Sequence, residues 1–276
     1  MPPRRLEVNG IGLHVEDTGG DLPAIVFSHG LLLNTRLWDA QVEALRGRYR
    51  CVAYDHRGQG QSEVPPDRSI GMDTAASDAA ALVTALRIAP CHFVGLSMGG
   101  FVGLRLAARR PELLRSLMLL ETSAEPEPRE NLGRYRLLNL VARTIGPPAV
   151  AGRIMAVLFG RSFLSDPARA GERQVWKERV AQNRRDIWRA VNGVLERDGV
   201  EAELARIHVP TLVVVGEEDV ATVPAKAERI AAGIRGARLV RVPRAGHSSP
   251  VEEPTAVTGL LQEFLSSVGE RPVQSA

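Results

Sequence analysis

Gly95-Leu96-Ser97-Met98-Gly99-Gly100 lies where the apolar run His92–Gly95 gives way to a helical spacing that continues to about Arg110. Pro111, whose ring cannot continue a helix, ends it. A serine between small residues at such a strand-to-helix junction is the pattern of a nucleophile elbow. The turn is sharp, so Gly95 and Gly99 leave room where side chains would collide, and the hydroxyl rises above the sheet at the positive end of the next helix. A serine at a helix start is more commonly a simple cap. The strand before Ser97 and the helix after it favour the nucleophile.

Outward from the elbow, strands and helices alternate. Ala24–Ser28 and Cys51–Tyr54 enclose a helix face marked by Trp38, Gln41, Val42 and Leu45, and Ala79, Leu82, Val83 and Leu86 mark another that leads into His92–Gly95. Ser116–Leu120, Thr211–Val215 and Arg238–Val242 continue the strands, with helices expected around Ala225–Ile234 and near Thr255–Ser267. At the N-terminus RLEVNGIGLHVEDT alternates on both sides of Asn9-Gly10, a pair suited to the positive φ angles of a tight hairpin. The strands make an α/β fold of eight strands, mostly parallel and buried on both faces by helices. Between about Ser123 and Ile207 the strand signal vanishes, and amphipathic helices are punctuated by Gly146-Pro147-Pro148, Gly160 and Asp166-Pro167. The expected organisation is a core of residues 1–122 and 208–276 and a helical insertion of residues 123–207. Leu137, Leu140, Val141 and Thr144, then Trp188, Val191 and Leu195, keep helical spacing and are expected mostly to pack inward. The last residues, GERPVQSA, read as a frayed tail.

The 276 residues, 44% hydrophobic and 24% charged, describe a soluble globular protein. Its net charge of +3 comes mainly from arginine spread over expected helices, lysine occurring only at Lys177 and Lys226. Solvated helix faces, not a nucleic-acid patch, explain that distribution. No uncharged apolar stretch approaches the ~18–20 residues of a membrane span, and MPPRRLEVNG lacks the apolar core of a leader. Cys51 and Cys91 provide no metal framework and read as reduced core residues, which suits a cytoplasmic location. No cofactor, metal, nucleic acid or membrane partner is expected, and the sequence carries no signal for an oligomeric state. Gly58-Gln59-Gly60-Gln61-Ser62 lacks the third glycine of a dinucleotide fingerprint and any following P-loop lysine, so it reads as a tight loop.

A serine hydroxyl is a weak nucleophile and needs a neutral imidazole to take its proton, with a carboxylate to orient that imidazole. His14, His56, His92 and His208 sit on or beside strands. His29 comes too early in the usual order of serine, acid and histidine and is expected to hold its own loop. His247, in Arg244-Ala245-Gly246-His247-Ser248, follows the last strand on a loop free to reach Ser97. Asp219 follows TLVVV directly and fits as the acid, Glu217 and Glu218 read as solvent-facing, and Glu121 at the end of SLMLL is the serious rival. An unperturbed histidine titrates near pH ~6.5, so activity is expected to fall on the acid side of neutrality. The backbone N–H groups of Leu31, after Ser28-His29-Gly30, and of Met98 are candidate oxyanion donors.

HGLLLN, DHRGQGQS, GLSMGG, GEED and AGHSSPVEEP occur in this order across residues 29–254. In these motifs the chain resembles the cap-bearing α/β-hydrolase superfamily, and GLSMGG with its flanks is most similar to the 3-oxoadipate enol-lactonase and carboxylesterase branch. The resemblance implies Ser97, Asp219 and His247 as triad, Leu31 and Met98 as oxyanion donors, Asp55-His56-Arg57-Gly58 as a structural loop, and residues 123–207 as a cap that decides substrate preference. It further implies a doubly wound order with AIVFS between the strands of Cys51 and Cys91. Two strand spacings are about 9–10 Å, too far for a disulfide.

The expected activity is cleavage of a small-molecule carboxylic ester or lactone through an acyl-enzyme. Haloalkane dehalogenases and epoxide hydrolases of this fold carry aspartate where Ser97 stands, and carbon–carbon-bond hydrolases usually have asparagine at the position of Leu96, which disfavours these activities. Enol-lactonase or carbon–carbon-bond hydrolase activity of aromatic catabolism, perhydrolase side activity and a non-catalytic ligand-binding role are the alternatives. His29, Trp38, Leu137, Val141, Phe159, Phe163 and Trp188 are the candidate substrate contacts. Arg134, Arg136, Arg143, Arg153 and Arg189 read as solvated, so an uncharged substrate is expected over a carboxylate-bearing one.

Overall fold

Asn9 and Gly10 adopt φ of 48° and 71° in the computed structural model, which describes residues 3–269. These angles turn β1 (Pro3–Val8) back on β2 (Ile11–Asp17) with Val8 opposite Ile11, the hairpin that Asn-Gly favours. β2 pairs antiparallel with the strand Arg50–Tyr54 (β4), and all later pairings are parallel. With β3 (Ala24–Ser28), β5 (Cys91–Leu96), β6 (Leu114–Leu120), β7 (Thr211–Gly216) and β8 (Arg238–Val242), the order is β1-β2-β4-β3-β5-β6-β7-β8. Cys51 and Cys91 are buried and free, with β3 between their strands.

Strand alternation feeds two core layers. Val26, Phe93 and Val213 join α2 (Met72–Ala85), α3 (Met98–Arg109) and α9 (Pro224–Gly233) on one face. Their neighbours Ile25, Val94 and Leu212 join α1 (Asp39–Leu45), α10 (Ser249–Glu252) and α11 (Pro254–Gly269) on the other. Burial on both faces fits the inner strands. It does not fit β1 and β8, whose arginines and glutamate face solvent, because each is an edge and charge there discourages pairing with another chain. Among the described residues no helix is long and apolar enough to cross a membrane. The expected tail beyond Gly269 lies outside the described residues.

Between β6 and β7 the chain is helical: α4 (Arg129–Thr144), α5 (Ala151–Leu158), α6 (Arg161–Ser165), α7 (Ala170–Ala181) and α8 (Trp188–Leu195). The first three breaks fall at the Gly and Pro positions that announced them, whereas the fourth, over residues 182–187, contains neither residue. The two ends of this segment are tied together. Val200 N donates to Ala124 O at 2.7 Å, and the buried Arg197 donates to Glu127 Oε2 at 2.9 Å and to Glu125 O at 3.2 Å.

The inward face of α4 differs from the expected one. Leu137 and Leu140 are 61% and 55% exposed, whereas Asn139 and Ala142 are buried. The reason is polar: Asn139 Nδ2 donates to Trp188 O at 3.2 Å and to Asn192 Oδ1 at 2.9 Å, and this bond to α8 fixes the rotation of α4.

Candidate active site

Ser97 links β5 to α3 with φ 51° and ψ −109°, a conformation that costs a non-glycine residue roughly 1–3 kcal/mol and persists only when its surroundings impose it. Here they do. Ser97 N donates to Leu120 O at 2.9 Å, and its carbonyl accepts from Thr122 Oγ1 at 2.8 Å and from Phe101 N at 2.9 Å. The glycines are there for close approach: a Cβ on Gly99 would lie 2.8 Å from Ser28 Oγ, and one on Gly95 would lie 2.8 Å from Gly100 N.

His247 and Asp219 arrive on the loops after β8 and β7. His247 Nδ1 is 2.9 Å from Asp219 Oδ2, and both side chains are almost wholly buried. Asp219 is held on all sides, because Oδ1 accepts from Ala221 N and Thr222 N at 2.8 and 3.0 Å and Oδ2 accepts from Thr222 Oγ1 at 2.7 Å. Burial opposes its ionisation, but the charge and hydrogen bond of His247 and the bonds from Thr222 prevail and hold the carboxyl below its usual range. Glu121 behaves oppositely. Burial, reinforced by the charge of Asp219, pushes its carboxyl well above the usual range, and its Oε1 accepts from Gly216 N at 3.1 Å instead of meeting the imidazole.

Ser97, Leu31, Thr222 and His247 line one cavity of about 140 Å³. No hydrogen bond joins Ser97 Oγ to His247 here, as is common before substrate tightens such a pair. The loop bearing Leu31 is braced from DHRGQGQS: Gln59 Oε1 accepts from Leu32 N at 2.9 Å while Gln59 Nε2 lies 3.2 Å from Met98 Sδ. Asp55 accepts from Thr35 N and Gln61 N at 2.9 and 2.8 Å. The N–H groups of Leu31 and Met98 make no hydrogen bond among the described residues, so both are free to donate.

The helices close the cavity with Leu138, Ala142, Ile154, Val157 and Val191, an apolar surface. None of the seven contacts expected from the sequence lines it. Trp38 is fully buried in the core against Phe27, with ring centroids 5.3 Å apart. Phe159 and Phe163 stack on each other at 4.7 Å within the same core layer. Leu137 faces solvent and Val141 lies off the cavity wall. Trp188 lies outside, with the guanidinium groups of Arg143 and Arg189 4.3 and 4.8 Å from its ring centre. His29 donates from Nδ1 to Gly30 O at 2.7 Å and accepts His56 N at Nε2, 3.0 Å away, so it holds its loop, and burial lowers its pKa and keeps it neutral.

Arg134, Arg136, Arg143, Arg153 and Arg189 are likewise absent from the wall. Arg197 does line the cavity, paired with Glu127 and 4.3 Å over the Phe101 ring, and nothing distinguished it in sequence from the other arginines. Thr222 was also missed, although its spacing three residues after Asp219 is the signal of a side-chain-capped turn.

Known proteins match this architecture along most of its length. The alpha/beta hydrolase fold family matches residues 23–254. A protein of Pseudomonas syringae pv. syringae named "Putative carbamate hydrolase RutD" is 31% identical over 254 residues, 90% of this chain and 95% of its own. A thermophilic esterase from Thermogutta terrifontis superposes with a TM-score of 0.88 at 30% identity, covering 97% of this chain and 99% of that one. The enol-lactonase from Burkholderia xenovorans LB400 gives the same TM-score and identity over 95% and 100% of the two chains. With an elbow serine after β5, a paired aspartate and histidine after β7 and β8 and this match, the chain belongs to the α/β-hydrolase family.

Proposed function

We propose that this hydrolase cleaves an uncharged carboxylic ester or lactone through an acyl-enzyme on Ser97. The observation that carries the reading is the buried His247–Asp219 pair, 2.9 Å apart, opening on the same cavity as the elbow serine. Ser97 Oγ attacks the carbonyl carbon as His247 Nε2 takes its proton, and Asp219 holds the opposite nitrogen as donor and balances the imidazolium. The N–H groups of Leu31 and Met98 receive the oxyanion. The imidazolium then returns its proton to the leaving oxygen, and water repeats the sequence to free the acid.

Residues 123–207 serve as the cap, and the neutral preference follows from the cavity wall they build. Its charged contributors beyond the catalytic pair are Arg197 and Glu127, which neutralise each other. A substrate carboxylate would therefore enter an apolar space without a free cation, at a high desolvation cost. Buried reduced thiols at Cys51 and Cys91 suit a cytoplasmic site of action.

The test is a substrate panel of p-nitrophenyl butyrate, a simple γ-lactone, an anionic lactone of similar size and an alkyl carbamate, the last bearing the bond named for the RutD relatives. The neutral ester and lactone should give the highest kcat/KM, with little response to salt. Preference for the anionic lactone that disappears in Arg197→Met would restore an enol-lactonase assignment.

A further inference from the structure

Glu252 is 2% exposed, yet both oxygens of its carboxylate are engaged. Oε2 accepts from Gly246 N at 2.9 Å and from Gly160 N at 2.7 Å, and Oε1 accepts from Ser248 N at 2.9 Å. Gly246 and Ser248 flank His247, whereas Gly160 belongs to the break between α5 and α6. One side chain therefore grips the base loop on both sides of the histidine and the helical segment at a third point.

The backbone is shaped for this junction. A Cβ on Gly160 would lie 2.8 Å from Gly246 N and 3.0 Å from Glu252 Oε2, and one on Gly246 would lie 2.6 Å from Gly160 Cα. Gly160 has an ordinary φ of −70°, so close approach and not backbone freedom accounts for glycine there. Two further ties run the same way. Arg169 donates to Glu252 O at 2.6 Å and Val251 O at 2.8 Å, and Glu218, next to Asp219, accepts from Ser162 N at 2.7 Å and Ser162 Oγ at 2.6 Å.

We propose that Glu252 is a positioning residue for His247 and that it couples the seating of the helical segment to the alignment of the base. The inference rests on the reading of His247 as the base. Three N–H donors converge on two oxygens, so an amide at this position must turn an NH2 group toward at least one of them and lose that hold. The loop is then free to drift, and sub-ångström to 1 Å misplacement of a catalytic group is enough to slow the chemical step. Binding is affected less, because Glu252 is not among the residues lining the cavity.

The experiment is a double-mutant cycle of Glu252→Gln and Gly160→Ala, read as kcat and KM for p-nitrophenyl butyrate, beside His247→Ala as control. Glu252→Gln should lower kcat roughly 10- to 100-fold with KM held within about twofold. Gly160→Ala, which adds a methyl at the junction while leaving every catalytic side chain in place, should lower kcat in the same sense. The double variant should be no slower than Glu252→Gln alone, because both disrupt one coupling. If Glu252→Gln does not fold, Gly160→Ala carries the test. A wild-type kcat in either variant, a loss confined to KM, or independent losses that multiply in the double variant would overturn the coupling. An active His247→Ala would instead overturn the base assignment, so the two failures are separable.

Discussion

The strand-end loops and the helical segment build the same cavity by opposite means. On the strand ends each group is fixed by directed bonds: Ser97 by Leu120 and Thr122, Asp219 by Ala221, Thr222 and His247, and the base loop by Glu252. The helical wall offers Leu138, Ile154, Val157 and Val191, which fill space without fixing direction. Its main polar feature, Arg197 with Glu127, closes the segment's own neck. On the proposed function, reaction chemistry sits on the part held by directed bonds, and substrate shape on a part that can be re-cut by exchanging apolar side chains.

This contrast is broken first at the acid. Asp219→Asn should reduce kcat by about 10³- to 10⁴-fold, as expected when the imidazole loses its orienting charge, whereas Glu121→Gln should stay within about tenfold of wild type. Steady-state kinetics on both variants decide it, and the reverse ranking would move the acid to Glu121.

At the neck, Arg197→Met leaves the half-buried Glu127 with only the Asn131 amide, 3.1 Å from its Oε1, in place of a cation and should cost about 3 kcal/mol in urea unfolding. Replacing both, Arg197→Met with Glu127→Leu, should recover most of that loss. If the double variant is as unstable as the single one, packing and not charge pairing holds the neck.

On the apolar wall, Ile154→Ala should shift the acyl-length optimum toward longer chains, changing kcat/KM ratios roughly 10-fold, while leaving probe labelling of Ser97 intact. A lost labelling rate would show that the wall also positions the triad.

A last effect is on stability against pH. An unfolded glutamate ionises above about pH 4.3, but Glu121 stays protonated in the fold well beyond that. Between those two values the native state binds the extra proton, so this group's contribution makes stability fall as pH rises. Wild type should therefore lose stability relative to Glu121→Gln as pH rises above about 4.3. Parallel melting curves across that range would show that Glu121 ionises in the fold.

Much of the rigid half was legible in the sequence because its chemistry admits few residue types. A glycine-flanked serine, an Asn-Gly hairpin and a strand-ending aspartate each have a specific physical requirement, and each stands where that requirement placed it. The helical half was legible only as helices and breaks. Apolar periodicity marked Leu137 and Val141, but the inward face of α4 was chosen by Asn139, whose bond to Asn192 lies 53 positions away in the chain. Phe159 and Trp188 likewise found aromatic and guanidinium neighbours away from the cavity. Glu252 stands inside the motif AGHSSPVEEP, but its role was not legible there because three backbone donors carry no side-chain signature.

The most direct test of the account is to treat the protein with an organophosphonate serine probe and locate the adduct by peptide mass spectrometry. One adduct is expected, on Ser97, together with a folded Ser97→Ala variant that is neither labelled nor able to turn over p-nitrophenyl butyrate above a trace. An adduct on another residue, or full esterase activity in Ser97→Ala, would contradict it.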